Sequence, residues 1–396
     1  MGWFKVVARM DAHLPGAVPL FYCLPEYFMS FFSRLALVSS CLLPALALAQ
    51  TTPADTAAKA PAASPWTFYG YVDAYYGYDF NRANAPQRPG FLYSHNRQNE
   101  FAVNHGLVGA RYQDERVRAA LALQVGTYVE ANYAAEAPAL RPVYEAYAGF
   151  RPTRNTWLDL GIFASHIGFE SAISKDNWTL TRSIMAENTP YYASGARFTY
   201  ETSPKVTLTA LVLNGWQNIR ENNRGKAVGT QVQWKPSAKW LLNSSIFVGN
   251  EQPQDSVRRR RSFHDFYASY AATSRLSLAV VLDIGQQQAP GRAADTWHAG
   301  SAFVRYAFAG RWTAAARAEY YSANHGVIII APAPAAAAPN VLVRGASLNL
   351  DYAPARQVLV RLEGRVLRAG QPLFADAAAL PVRTYGNTTA SVSFGF

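Results

Sequence analysis

The sequence predicts an all-β protein: a transmembrane, antiparallel, up-and-down β-barrel of about sixteen strands, with short periplasmic turns and long extracellular loops. Three observations predict it. The chain opens with an export leader. Beyond the leader no run of eighteen apolar residues occurs, which removes a membrane-spanning helix. From Trp66 to Phe396, segments of about ten residues alternate apolar and polar side chains with period two. Only helices and closed sheets satisfy every backbone group in lipid, so a closed sheet is the remaining way to span a bilayer.

The leader comes first because its residues do not enter the fold. Met29 to Arg34 form a short positive region, residues 35–48 an apolar stretch, and Ala47-Leu48-Ala49 a small-residue pattern before Gln50. Together they read as a secretory signal peptide cut after Ala49. The 28 residues ahead of Met29 contain Asp11, Glu26, Pro15, Pro19 and Pro25, which cannot extend a signal helix and read as an upstream start-codon choice. Residues 1–49 are therefore assigned to the leader. Cys41 follows Val38-Ser39-Ser40, similar to a lipid-attachment site, but the apolar stretch continues past it, whereas a lipid-bearing cysteine closes such a stretch. Cys23 is also in the leader, so the mature chain has no cysteine for disulfides, zinc-thiolate sites or nucleophilic catalysis.

Removing Lys5, Arg9, Arg34, Asp11 and Glu26 with the leader leaves 34 basic and 24 acidic groups, a net charge of +10. The arginines are spread along an exported chain rather than gathered on a recognition element, which argues against nucleic acid as a partner. Anionic lipopolysaccharide and anionic solutes are the expected counterparts. Asn104-His105-Gly106 and Asn324-His325-Gly326 look only superficially like acyl-hydrolase segments, because no serine elbow or third partner follows them. Six mature histidines show no metal spacing. No catalytic residue, metal or cofactor is expected.

Residues 50–65, rich in Ala, Pro and Thr, read as a flexible periplasmic lead-in, and 66–396 as the barrel. Leu276, Leu278, Val280, Leu282 and Ile284 form one apolar row; Val358, Val360, Leu362 and Val366 form another. Arg361, Glu363 and Arg365 alternate with the second row and must point the opposite way, into a polar interior. Val117, Ala119, Leu121, Leu123 and Val125 likewise face lipid, with Arg118 and Gln124 inward. His105 falls in the lipid-facing phase of its segment, a misfit that marks a register shift or a subunit interface. Short turns are expected at 113–115, 152–155, 203–205, 236–238, 273–274, 310–311 and 353–356. Long loops are expected at 81–97, 131–141, 164–190, 217–225, 251–258, 287–294, 322–341 and 370–382. Fifteen connections join sixteen strands and leave both chain ends on the short-turn, periplasmic side. Aromatic residues at Tyr75-Tyr76, Tyr191-Tyr192, Trp234, Trp240, Trp312 and Tyr320-Tyr321 suit the two membrane interfaces.

A barrel of this size leaves an aqueous channel, whereas one of about eight strands is filled by its own side chains. The expected pore-lining residues are Asp73, Glu100, Arg118, Glu145, Arg197, Asp265, Asp283, Arg317, Glu319, Arg361, Glu363 and Arg365, with Gln231 and Gln233. Both signs occur, so these groups either carry a transverse field or pair wall to wall. Loop 164–190, with His166, Glu170, Lys175, Asp176, Asn177, Trp178 and Arg182, mixes polar and aromatic residues too densely for a free exterior loop. It is expected to fold inward as a constriction, the alternative being a lid outside the mouth. Arg258 to Arg261 place a basic run in a surface loop, where lipopolysaccharide phosphates are its counter-ions unless it is simply solvated. The Ala/Pro-rich part of 322–341 either covers a subunit contact or plugs the mouth.

Several stretches resemble a known family. They are Phe68-Tyr69-Gly70-Tyr71-Val72-Asp73-Ala74-Tyr75-Tyr76, Asn99-Glu100-Phe101-Ala102-Val103-Asn104, Gln124-Val125-Gly126-Thr127-Tyr128, and Gly161-Ile162-Phe163 leading into Ile167-Gly168-Phe169-Glu170. Together they are similar to the OmpL-like β-barrel porins (beta-barrel porin-2) of Gram-negative bacteria, abundant in Bacteroidota, over essentially all of 66–396. The resemblance implies an integral outer-membrane barrel and suggests passive diffusion of small hydrophilic solutes; it brings no catalytic residues. The last row, Val392-Phe394-Phe396, resembles the C-terminal signal read by the barrel assembly machinery. The expected function is a porin narrowed by 164–190, with a closed structural or surface-binding barrel as the alternative and a homo-oligomer as an open possibility.

Overall fold

The computed structural model describes residues 64–329 and 340–396. The leader, most of the lead-in and the Ala/Pro-rich part of the seventh long loop lie outside these residues. The strands are β1 (Trp66–Asp79), β2 (Phe101–Gln113), β3 (Val117–Val125), β4 (Val143–Phe150), β5 (Thr156–Ala164) and β6 (Tyr192–Ser203). They continue with β7 (Val206–Leu213), β8 (Ala227–Trp234), β9 (Trp240–Asn250), β10 (Arg260–Ala271), β11 (Leu276–Ala289) and β12 (Arg292–Ala307). The last are β13 (Trp312–Ala323), β14 (Val341–Tyr352), β15 (Val358–Ala369), a ribbon of β16 (Phe374–Ala375) and β17 (Pro381–Val382), and β18 (Thr384–Gly395). All except the ribbon close into one antiparallel barrel of sixteen strands. Two short helices, α1 (Thr127–Asn132) and α2 (Ile184–Glu187), belong to loops.

The period-two rows place the faces as the alternation requires. Leu121, Leu123, Val125, Leu282, Ile284, Leu362 and Val366 are exposed on the outside, where lipid takes the place of a protein core. The doublets Tyr75-Tyr76 and Tyr320-Tyr321 divide between the faces, with Tyr75 and Tyr321 buried inside, whereas in Tyr191-Tyr192 both rings turn inward, Tyr191 against Arg182 of the third long loop. Exposed Trp66, Trp234, Trp240, Tyr306 and Trp312 sit beside the short turns and form the periplasmic girdle.

Closure runs through β1 and β18, in register from Tyr71↔Gly395 to Asp79↔Asn387. Beyond this ladder the Phe396 backbone exchanges two further hydrogen bonds with Gly70, at 3.2 and 3.1 Å. A Cβ at Gly70 would lie 2.5 Å from the Phe396 ring, so glycine at this position lets the terminal aromatic lie across β1.

Two segments differ from the pattern. Residues 287–294 form a tight Pro290-Gly291 hairpin instead of a long loop, with Gly291 at φ 69. Gln288 reads as loop because these strands project beyond the lipid, where polar side chains such as Gln286 and Gln288 can face outward. The His105 misfit is a register shift: Asp73 pairs with His105 and Ala74 with Val103, leaving Asn104 as the extra residue. Asn104 and His105 consequently both turn inward, and both are buried.

The candidate pore and its folded-in loops

Two parts of the inner wall carry most of the charge. On β2 to β6, Asp159 receives two arginines: Arg118 binds it bidentately at 2.7 and 2.6 Å, and Arg197 reaches it at 2.9 Å. One strand over, Arg111 bonds Glu145 at 2.9 Å and Tyr69 donates to the same carboxylate. Arg118 and Arg151 both stack over Trp157, each 4.4 Å from the ring centroid. This wall holds four arginines against three carboxylates, Glu145, Asp159 and, near the end of β6, Glu201, and the side chains of Arg111, Arg118 and Arg197 keep 51, 18 and 21 % of their exposure.

On β13 to β15 the charges interlock. Arg317 lies 3.1 Å from Glu363, 3.5 Å from Glu319 and 3.6 Å from Glu170; Arg365 binds Glu319 at 2.9 and 2.7 Å; Arg361 binds Asp351 at 2.8 and 3.2 Å. Arg317, Arg361 and Arg365 are at most 2 % exposed, because a loop covers them.

That loop is 164–190. At its start the His166 ring Nε2 donates to the Ile246 carbonyl over 3.0 Å, while its own carbonyl accepts from Gln231 and Ser245. Its middle lies on the opposite wall. The Leu180 amide donates to Asn349, the Thr181 amide to Glu363 and the Ile184 amide to Glu319, at 3.0, 2.5 and 2.7 Å. Arg317 donates to the Thr179 hydroxyl and the Thr181 carbonyl, and Arg361 to the carbonyls of Ser174 and Asn177. Loop backbone thus finds its partners on inward side chains of the barrel, which is how irregular chain can be buried at membrane depth. Within the loop, Glu170 accepts from the Ser183 amide and hydroxyl. Burial pushes the Glu170 carboxyl above its ordinary range, opposed by Arg317 and Ser183. Phe169 and Trp178 pack together at 5.6 Å and against Phe303 on the inner wall, with Phe169 also meeting Tyr267 at 5.5 Å.

Other loops join it. Arg182 lies between the rings of Tyr128 and Tyr191, 4.3 Å from each, so that α1 of the second loop is clamped to the third. From the first loop the Tyr93 and Ser94 amides donate to Glu187, His95 meets Asp73 at 2.8 Å, and Arg88 binds Asp79 at 2.9 Å. Phe374 of the ribbon stacks on Tyr385 and touches Phe91.

The residues singled out in the sequence therefore fall into distinct settings. Arg118 and Arg197 retain solvent contact. Arg317, Glu319, Arg361, Glu363 and Arg365 lie beneath the loop, Glu145 pairs with Arg111, and Asp73 lies beneath His95. Asp265 and Asp283 are buried opposite one another on β10 and β11. Glu100 sits just ahead of β2 and pairs with Arg97 at 2.6 Å, at the mouth. In the loop, His166, Glu170, Asn177 and Arg182 are buried anchors, Trp178 is half-buried, and Lys175 and Asp176 stay exposed. Of the basic run, Arg258 and Arg260 are exposed, but Arg261 turns inward to Gln287 and lies 5.2 Å from the Trp216 ring. The sequence reading missed Arg111 and Asp159 on the wall and Arg88 and Glu187 in the loops.

This architecture, a closed antiparallel barrel with an apolar belt and polar contents, is that of an integral outer-membrane protein of the porin class. Over residues 65–396 the chain matches the family described as "Putative beta-barrel porin-2, OmpL-like", and it belongs to that family. No curated protein matches it. Among solved structures it is similar to the outer membrane channel DcaP of Acinetobacter baumannii, with TM-score 0.57 and 10 % identity, covering 84 % of this chain and 97 % of that one. It is also similar to an anion-selective porin from Comamonas acidovorans (TM-score 0.55, 10 % identity, 84 and 99 % covered). A third is the trimer form of OmpT, an outer membrane protein of Vibrio cholerae (TM-score 0.53, 11 % identity, 84 and 99 % covered). At these identities the likeness concerns the fold.

Proposed function

We propose that the protein is a porin through which small hydrophilic solutes diffuse passively, with loop 164–190 narrowing the lumen and leaving a path along the β2 to β6 wall. The observation that carries this reading is the uneven covering of the charges: those on β13 to β15 are sealed under the loop, whereas Arg111, Arg118 and Arg197 keep solvent contact. Four arginines against Glu145, Asp159 and Glu201 leave that wall with a small excess of positive charge, which favours anions. The pore needs no cofactor and performs no chemistry.

Single-channel recording in planar bilayers tests the reading, with steps and an anion-favouring reversal potential expected. Arg118→Gln with Arg197→Gln should shift that potential toward cations while the barrel stays heat-modifiable. A folded barrel that gives neither conductance steps nor liposome swelling would remove it. That outcome would favour the second reading, a closed surface-binding or structural barrel, which draws on the packing of the first and second loops against the third.

Two partners complete the proposal. Arg258 and Arg260 meet lipopolysaccharide phosphates, and the row Val392, Phe394 and Phe396 presents the barrel to its assembly machinery. A charged tail after Phe396 should strand the protein in the periplasm; fractionation that finds it folded in the outer membrane would overturn this role.

A further inference from the structure

Every one of the seven short turns carries a basic residue. They are Arg116 between β2 and β3, Arg151 and Arg154 between β4 and β5, Lys205 between β6 and β7, and Lys235 and Lys239 between β8 and β9. Arg275, Arg311 and Arg356 occupy the last three turns. Against these nine stand Asp114 and Glu115, both in the first turn. All but Arg151 are exposed, and among the described residues none of the nine enters an ion pair. Asp114 is itself occupied, accepting from the Arg116 and Val117 amides and the Tyr112 hydroxyl. The extracellular loops are different, since their arginines are interspersed with Glu100, Glu130, Glu136, Glu221, Glu251 and Asp255.

We infer that the periplasmic rim is a binding ring for the anionic headgroups of phospholipids in the inner leaflet. Three features select this partner. The charges occupy every turn around the circumference, as a surrounding leaflet requires, whereas a polymer strand or a docked protein would meet one arc. Each turn is flanked by an outward aromatic at interface depth, among them Tyr112, Phe150, Tyr200, Trp234, Trp240, Tyr270, Trp312 and Tyr352. Arg and Lys placed beside such a girdle bury their stems against the rings and present their charge to headgroup phosphates. Third, none of the nine is held in an ion pair, so phosphate contacts cost no existing one.

Lys205, Lys235 and Lys239 also border a cavity of about 500 Å³ that reaches Trp178 at the inner mouth. The test therefore uses the arginines away from it, in a variant carrying Arg116→Gln, Arg154→Gln, Arg275→Gln and Arg356→Gln. None of these side chains donates a hydrogen bond within the described chain, so the barrel should fold and remain heat-modifiable.

The native protein and this variant are reconstituted in phosphatidylcholine bilayers, and the association of spin-labelled phosphatidylglycerol is compared with that of spin-labelled phosphatidylcholine. The native barrel should prefer phosphatidylglycerol about fivefold, the effect of one headgroup contact. That preference should fall toward unity in the variant, and also in about 1 M salt, with the reversal potential unchanged. Equal association in the native protein, or a preference that the variant keeps, would overturn the inference. So would a variant that alters only the reversal potential, since the ring would then serve permeating anions, or native protein that sediments with purified peptidoglycan while showing no lipid preference.

Discussion

Replacing Arg317 with alanine should be among the most destabilising single changes in the barrel, costing about 3–5 kcal/mol, as expected when one partner of a buried ion pair is removed. Its guanidinium has no exposure and lies within 3.1 to 3.6 Å of Glu363, Glu319 and Glu170. Arg365 would still hold Glu319, but Glu363 and Glu170 would be left in a dry site without a cation. The Thr179 hydroxyl and Thr181 carbonyl would lose their donor as well, so the middle of the loop would lift from the wall. Burial already pushes the Glu170 carboxyl up and Arg317 pulls it back. Without Arg317 the carboxyl should take up its proton at higher pH. A group whose folded-state pKa is raised favours folding while protonated and ceases to do so as pH rises through that pKa. The deficit should therefore be smaller at acidic pH than at pH 8. The urea midpoint of the heat-modifiable gel shift, compared at the two pH values, measures both effects; an unchanged midpoint would show that the network is not coupled to stability. Arg317→Lys should recover part of the loss, supplying charge without the planar fork.

That network also shows how much of the site is legible in the chain. The alternation in Val358 to Val366 turns Arg361, Glu363 and Arg365 inward without any structure, because period two admits no other orientation. The same rule marks Asp159, set between Leu158 and Leu160. What alternation cannot supply is the partner. Arg317 and Glu363 meet across two strand pairings, and which inward side chains share a level depends on the stagger of the closed sheet, a global property of the barrel. Loop 164–190 announces its inward fold through its polar and aromatic density, yet the division between buried Asn177 and exposed Asp176 next to it is made by the wall it lies on. The extra residue Asn104 is visible as the broken phase at His105, because a bulge leaves a mark in the pattern even when its cause, the pairing with β1, is far away in sequence. Residues 287–294 misled for the opposite reason: polar side chains face outward where strands rise above the lipid, so the lipid signal stops before the strand does.

Replacing residues 171–186 with a short Gly/Ser linker should raise single-channel conductance severalfold and weaken ion selectivity. The segment contains the amides of Leu180, Thr181 and Ile184 that dock on Asn349, Glu363 and Glu319, and it includes Trp178 and Arg182. Its removal would expose the Arg317, Arg361 and Arg365 cluster to water. The contrast with Arg317→Ala is instructive: the point variant leaves carboxylates buried and unpaired, whereas the deletion lets the same carboxylates keep their arginines and regain hydration. The larger change should therefore be the milder one for stability, with a urea midpoint above that of Arg317→Ala. It should also be the stronger one for transport, because the newly hydrated wall carries paired charges of both signs and dilutes the field of Arg118 and Arg197. Conductance at the native level in a folded deletion variant would mean that the segment does not limit flow, and that any narrowing comes from the first and second loops, which Glu187 and Arg182 respectively tie to the third.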